Sequence, residues 1–419
     1  MPPMEREAAA RRRVAHLADV TSSSSGVPSG TSQGVGRGAV VVVGGMVLDV
    51  QAAPPPGSSL LRGTTTPGFV RQTPGGVGRN IAEGVARASQ KGTTPPLLIS
   101  AVGDDLAGAA LMEAWRGLFL DRFAMDASVA TRGVRVCPGA STPTVAAVLD
   151  NSGEVAAAVA DCDTVERFLD SKWINKHSTQ IANAAAVVFD GNVSPSALAA
   201  VANATRVKRM GNYTKENKSP LLWFEPVSVA KAVRATEARI LHLIDVVSPN
   251  VEELRAMANA ARNGDENSHA PAADPSPTAT ALEIVKAVRH DIHTLLTAGV
   301  GNIVLTLGER GVALCRKTNR DERSNGSGHQ KRESFTCVYV SAFPANVKSL
   351  VGAGDALVAG CVAALSNGYR IDKAVVIGAA AAQRAVETDL NVAIGPGVLF
   401  SALEKLAQSA QVVRDTVWV

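Results

Sequence analysis

Ala39-Val40-Val41-Val42-Val43-Gly44-Gly45 is the stretch on which the fold turns. Four β-branched residues stopped by two glycines have the form of a short strand buried on both faces, since a half-exposed strand would alternate apolar with polar. The same form recurs outward from it. Leu97-Leu98-Ile99-Ser100-Ala101-Val102, Ala184 to Asp190, Leu221 to Glu225, Asp245 to Ser248 and Asn302 to Leu307 are short apolar runs, with helical segments between them. Strands alternating with helices predict an α/β fold on a doubly wound sheet. Composition agrees. Hydrophobic residues make up 46% of the 419 but aromatics only 4%, so the core must be built from Ala, Val, Leu and Ile, which suits parallel strands under Ala-rich helices.

Two places break the rhythm. Thr142 to Asp150 and Val155 to Ala160 flank Asn151-Ser152-Gly153, which has the chemistry of a hairpin turn. Together with strands before residue 72 they predict a small accessory sheet, a lid drawn from about 46–72 and 132–162. Polar stretches at 206–219, 261–280 and 317–333 read as surface insertions. Residues 1–38, basic and then Ser/Gly-rich, read as a disordered tail, and 409–419 as a C-terminal extension, which leaves 39–408 as the domain.

Several function classes are set aside by the same reading. The net charge of +4 is small and scattered, a poor footprint for nucleic acid. No apolar run reaches the length of a membrane span. The N-terminus has no secretory h-region, and Glu5, Glu7 and Asp19 oppose an organellar presequence, so the expected compartment is the cytoplasm. Five cysteines without a CxxC pair fit reduced thiols, and the histidines form no zinc pattern. Asp104-Asp105 reads as a turn after a strand.

The chemistry is carried by Val351-Gly352-Ala353-Gly354-Asp355-Ala356-Leu357, which runs straight into a helical pattern. Glycines before a helix let successive N–H groups converge, and the helix dipole adds positive potential. Such a nest can hold a phosphoryl group in transfer, and a carboxylate at its mouth can accept a proton from an attacking hydroxyl. Asp355 is in that place. The motif alone leaves it two roles, base or helix N-cap. It is no Walker loop, because no Gly-Lys-Ser/Thr follows.

Gly352-Ala353-Gly354-Asp355 resembles the C-terminal signature of the pfkB carbohydrate kinases, and further motifs stand in that family's order. Val43-Gly44-Gly45 with Asp49 resembles its first strand and substrate-binding Asp. Pro74-Gly75-Gly76 with Asn80 resembles its N-terminal signature. Ala101-Val102-Gly103-Asp104-Asp105 with Gly108 resembles the next strand and turn. Pro249-Asn250-Val251-Glu252-Glu253 resembles its Asn-x-x-Glu motif, and Thr306-Leu307-Gly308 with Gly311 its nucleotide turn. The resemblance spans about 39–405. It implies a ribokinase-like three-layer α/β/α sandwich with a small β lid, and a kinase using ATP and Mg2+. Asp355 would be the base. Gly352, Ala353 and Gly354 would hold the phosphoryl group, and Asp49, Gly75, Gly76, Asn80, Thr144 and Asn192 the acceptor. Asn250, Thr306, Gly308 and Gly311 would bind nucleotide, with Glu253 acting on Mg2+ indirectly. It also implies a homodimer through the lid.

One branch is most similar. Gly75-Gly76-Val77-Gly78-Arg79-Asn80-Ile81-Ala82-Glu83, Leu149 to Glu154, Asp190-Gly191-Asn192-Val193-Ser194 and Pro226-Val227-Ser228 with Lys231 resemble pseudouridine kinases. That resemblance implies phosphorylation of the 5′-hydroxyl of a ribosyl nucleoside. The alternatives are another nucleoside, a free sugar, or an impaired relative acting as a binding protein. Ser349 and Val351 depart from the signature, which has Asp or Asn at the first position and Thr or Ser at the second. The first position often serves a monovalent cation in the family, so the resemblance allows potassium without requiring it.

Overall fold

The computed structural model describes residues 39–55, 57–58, 60, 63–89, 93–150, 155–209, 219–262, 276, 278–317 and 334–418. The tail 1–38, the turn Asn151-Ser152-Gly153 and the centres of the three insertions lie outside them. Among the described residues fourteen strands run in chain order as β1 Val40–Val43, β2 Val47–Ala53, β3 Phe69–Gly75, β4 Leu97–Gly103, β5 Val134–Cys137, β6 Thr144–Leu149, β7 Val155–Asp161, β8 Ala186–Asp190, β9 Leu221–Glu225, β10 Val246–Val247, β11 Asn302–Thr306, β12 Val312–Lys317, β13 Ser334–Val340 and β14 Val412–Trp418.

Ten of them form one sheet in the order β14-β13-β12-β11-β10-β9-β8-β1-β4-β5. From β11 to β5 every pairing is parallel, and β11 through β14 continue as an antiparallel meander. The valines of β1 show why this sheet needs helices on both faces. Val41 and Val43 join one apolar cluster, with Leu198, Leu254 and Leu295 from helices on that side. Val40 and Val42 join another, with Ile81, Leu111, Val358 and Val375 from helices on the opposite side. All four are at most 6% exposed, and each such valine contributes roughly 1.5–3 kcal/mol relative to exposure. The architecture is a three-layer sandwich.

The lid is a separate sheet in the order β3-β2-β6-β7. Its sequence boundaries need correction. Val134–Cys137 pairs parallel with β4 at the edge of the large sheet, so the second lid segment begins at Thr144, and the first extends through Gly75. Residues 412–418 are no extension either: they pair with the whole of β13 as an edge strand. All five cysteines are free; four are buried, and half-buried Cys162 follows β7 and precedes the helix Asp163–Phe168.

Candidate active site

The sequence-predicted residues gather where strands of the parallel sheet end. Asp190 and Glu225 are the last residues of β8 and β9, Ser248 follows β10, Thr306 closes β11 and Gly44 follows β1. Chain connections depart in opposite directions from β1 and β8, and a crevice opens outside strand ends at such a switch point.

The helix Ala353–Ser366 begins there. Its N-cap is Gly352 (φ 78°), and Asp355 is the third residue of its first turn. The cap role is thereby filled by glycine, and the Asp355 carboxylate is left to face the crevice. Gly352 is needed on two grounds: its left-handed backbone, and the Asn391 carbonyl, which would lie 2.1 Å from an added Cβ. Asn80 Nδ2 donates to Asp355 Oδ2 at 2.8 Å, across 275 residues of sequence. Asp355 is half-buried, open to the cleft but otherwise walled by protein. Burial pushes its pKa up to about 7; Asp190 and Asp49 add to this, while the Asn80 hydrogen bond and Arg79 oppose it. A carboxylate so placed is a competent general base near neutral pH.

Asp49 enters from lid strand β2. Asn391 Nδ2 donates to its Oδ2 at 2.7 Å and to the Pro74 carbonyl at 3.1 Å. Burial raises the Asp49 pKa, against the pull of that hydrogen bond and of Arg79. Gly75 permits the approach, since an added Cβ would lie 2.1 Å from Asp49 Oδ2. Gly76 caps the next helix, Val77–Ala88. Asp190, 1% exposed, accepts from Gly45 N and Gly78 N at 2.9 Å each, fastening β1 and that helix to the end of β8. Asn192 N donates to Asp190 Oδ1 at 3.0 Å, and Lys231 Nζ donates to Asn192 Oδ1 at 2.5 Å, which sets Asn192 beside Gly45.

Asn250 and Glu253 form a helix capping box: Glu253 N donates to Asn250 Oδ1 at 2.8 Å and Asn250 N to Glu253 Oε2 at 2.9 Å. The Asn-x-x-Glu spacing is that of the box, and it orders the first turn of the helix Val251–Ala261 at the cleft. Glu253 is 6% exposed and its pKa is raised, chiefly by burial. Glu225 joins the two halves. The Ser248 hydroxyl donates to its carboxylate; burial pushes its pKa well up against that hydrogen bond, and Asp355 and Glu253 add to the rise. Beyond lies a cleft of about 430 Å3 lined by Asn250, Glu252, Ile284, Thr306, Gly308 and Arg310 among others.

The structure thus brings together Asp49, Gly75, Gly76, Asn80, Asn192, Gly352, Ala353, Gly354 and Asp355 at one end, and Asn250, Thr306 and Gly308 at the other, with Glu253 buried behind Asn250. It does not bring Thr144; Gly311 stays with the turn of Gly308, its N–H donating to the Gly308 carbonyl at 3.1 Å and its carbonyl accepting from Leu307 N at 2.9 Å. Thr144 pairs with Leu48, so its side chain lies on the lid face opposite Asp49, and its hydroxyl donates to the Thr142 carbonyl at 3.0 Å. Gly311 (φ 105°) closes the turn before β12 against the backbone of Val340–Ala342. Ala353 N–H turns back to the Leu350 carbonyl at 3.4 Å, which leaves the nest to the later groups of that turn. Asp104 and Asp105 serve the turn after β4: Asp105 caps the helix Leu106–Phe123 and accepts from Thr142 N. Among the described residues no cluster of three or more acidic, Cys or His side chains could cage a metal ion.

Sequence reasoning missed Asn391, the site role of Arg79, and Asp190 and Glu225 as site carboxylates. Asp190 and Glu225 carry one available signal, a carboxylate closing an apolar run. Asn391 carries none, because its partner Asp49 is 342 residues away.

A model of the pfkB family carbohydrate kinases matches residues 38–390. A pseudouridine kinase of Arabidopsis thaliana is 33% identical over 377 residues, covering 84% of this chain and 91% of that one. A pseudouridine kinase of Escherichia coli (strain K12) is 26% identical over 339 residues, covering 80% and 86%. Among solved structures, the A. thaliana ribokinase complexed with ribose and ATP is similar at a TM-score of 0.63 and 21% identity, over 88% of this chain and 99% of that one. A carbohydrate kinase from Agrobacterium tumefaciens matches with TM-score 0.63, 22% identity, and 91% and 100% coverage. The sandwich with its lid is the ribokinase-like fold.

Proposed function

The chain belongs to the pfkB family of carbohydrate kinases, and from that premise we propose that it transfers the γ-phosphoryl group of ATP to the 5′-hydroxyl of pseudouridine. The observation that carries the kinase reading is the Asn80–Asp355 pair at the head of the Gly352-capped helix. Asp355 accepts the proton as the 5′-oxygen attacks phosphorus; the O–P bond forms, the bond to the β-phosphate oxygen breaks, and ADP leaves. N–H groups of the helix's first turn, at Gly354 and Asp355, stabilise the transferring oxygens, with the family's nest residues Gly352 and Ala353 shaping the approach. Asp49, held by Asn391, keeps Oδ1 for a ribose hydroxyl. Asn80, Gly75, Gly76 and Asn192 line the acceptor.

The residues present fit ATP and Mg2+. Thr306, Gly308 and Asn250 line a cleft of nucleotide size, and two carboxylates with raised pKa values, half-buried Glu225 and buried Glu253, stand between it and Asp355. Mg2+ would lie beside them, held mainly by phosphate oxygens, and would supply charge neutralisation. Neither Ser349, whose Oγ accepts from Val351 N at 3.2 Å, nor Val351 supplies a carboxylate for potassium.

The two curated relatives support pseudouridine over other acceptors. Its C-linked base presents a ring N–H that uridine lacks, and an acceptor placed for it is left unpaired by uridine. ADP release should be measured with pseudouridine, uridine, adenosine, ribose and fructose. Pseudouridine should lead uridine by at least about tenfold in kcat/KM, or roughly 1.4 kcal/mol. Equal values, or activity on free sugars alone, would sink the pseudouridine assignment. The exposed apolar face of the lid, with Val70 and Val159, also supports a homodimer.

A further inference from the structure

We infer that Arg79 is a positioning residue: it fixes which way the Asn80 amide points, and through that amide holds the Asp355 carboxylate. The inference rests on the kinase reading above. An asparagine amide has two unlike ends. Here Nδ2 donates to Asp355 Oδ2 at 2.8 Å, while Oδ1 accepts from Arg79 Nη1 at 2.8 Å. A guanidinium only donates, so the end that faces Arg79 must be the oxygen and the end that faces Asp355 must be the NH2. Turned over, the amide would set its oxygen against a carboxylate and lose both bonds.

Arg79 is itself held from three sides. Its Nη1 also donates to the Pro74 carbonyl at 2.6 Å, and its Nη2 pairs with Glu83, which Arg87 grips in turn at 2.5 Å. Arg79, Asn80 and Glu83 are 7%, 5% and 5% exposed. Residues adjacent on a helix do not normally face one another. The Arg79–Asn80 contact requires the long side chain to fold back toward Pro74, and the two bonds of Nη1 fix that fold. Burying a guanidinium costs desolvation that packing alone would not require. The bonds of Arg79 go to Pro74, Asn80 and Glu83, so its hold on the position of Asp355 passes through Asn80, while its charge acts on Asp355 across space.

A second consequence is electrostatic. The charged groups facing Asp355 are Arg79 from the helix Val77–Ala88, Asp49 from β2, Asp190 from β8 and Glu225 from β9. Arg79 is the cation among them. Without it, the charged groups left are the three carboxylates, and Asp355 keeps its proton to higher pH. A base must be deprotonated to act, so the acid limb of the rate profile moves upward.

The test compares wild type, Arg79→Lys and Arg79→Met in steady-state kinetics against pH, with pseudouridine and ATP, alongside thermal unfolding. Arg79→Lys keeps the charge but not the fork. Its kcat should fall about tenfold with the acid limb unmoved. Arg79→Met should lose about 10²-fold in kcat, with the limb raised by about half a pH unit or more and KM for ATP within about twofold. Arg79→Met with wild-type turnover, or losses in both variants that track Tm with the limb unmoved, would overturn the inference. Should Arg79→Met not fold, the lysine variant alone decides: wild-type kcat there removes the positioning role. The protonated Asp355 carbonyl stretch, read by infrared titration with Asp355→Asn as blank, gives the same shift without turnover. A wild type that phosphorylates no acceptor while this titration shifts as expected would fail the kinase reading and spare the inference.

Discussion

Asp355 meets opposing demands from folding and from chemistry. Its pKa, pushed up to about 7 from an unfolded value near 3.9, means that the folded state holds the proton more tightly than the unfolded chain does. Its contribution to stability is therefore fully present below about pH 4 and is lost as pH rises through about 7. Asp355→Asn should lower kcat roughly 10²–10⁴-fold, leave KM for ATP nearly unchanged, and raise Tm more at pH 8 than at pH 5. Steady-state kinetics and calorimetry at both pH values check this; a variant keeping most of its turnover would remove Asp355 from the base role. The residues of this site were legible in unequal degree. Asp355, Asn80 and Asp49 sit in local signatures of glycine and polar residues whose backbone consequences can be read. The partners that hold them could not be. Asn391 reaches Asp49 across 342 residues, and Arg79 looks from sequence like a surface charge on a helix that turns out to be buried. Thr144 failed for another reason. In a strand a shift of one residue exchanges the two faces, and the sequence does not state the register.

At the scale of elements, the parallel strands were legible because burial on both faces leaves no alternation to obscure them. The edge strand β14 was not. Val412-Val413-Arg414-Asp415-Thr416-Val417 mixes apolar and charged residues, as a strand with one free edge does, and no turn signal sets it apart. Its pairing runs the length of β13, from Ser334–Trp418 to Val340–Val412. Within β13, Phe335, Cys337, Val338 and Val340 are each at most 1% exposed. A chain ended at residue 408 should uncover that strand edge. Its Tm should fall by several degrees, and it should aggregate at concentrations where the full chain stays in solution. Light scattering during a thermal ramp measures both. An unchanged Tm would show that β13 is stable as an edge strand without a partner.

The whole molecule adds a lid whose outer face is unfinished. Register places Val159, Ala157, Ala146, Val148, Ala52 and Val70 on one face across all four lid strands. Val159 and Val70 are 73% and 70% exposed. A contiguous apolar face of this sort marks an interaction surface, and a second copy of the chain supplies a matching one. Sedimentation should give twice the 43.2 kDa chain mass for the full chain, and the monomer mass for Val159→Lys with Val70→Lys. A wild type that sediments as a monomer would leave the lid face without this role.

Cys162 stands where the last lid strand hands the chain back to the body, and it is the one thiol of five that is not buried. The molecule therefore carries its own reporter at the joint between lid and body. A colourless disulfide reagent that releases a chromophore should titrate one thiol per folded chain, slowly, because burial raises the pKa of that thiol and thins its thiolate. It should titrate all five after denaturation. An acceptor that draws the lid down through Asp49 should cover that half-exposed thiol and slow the first reaction without touching the cysteine.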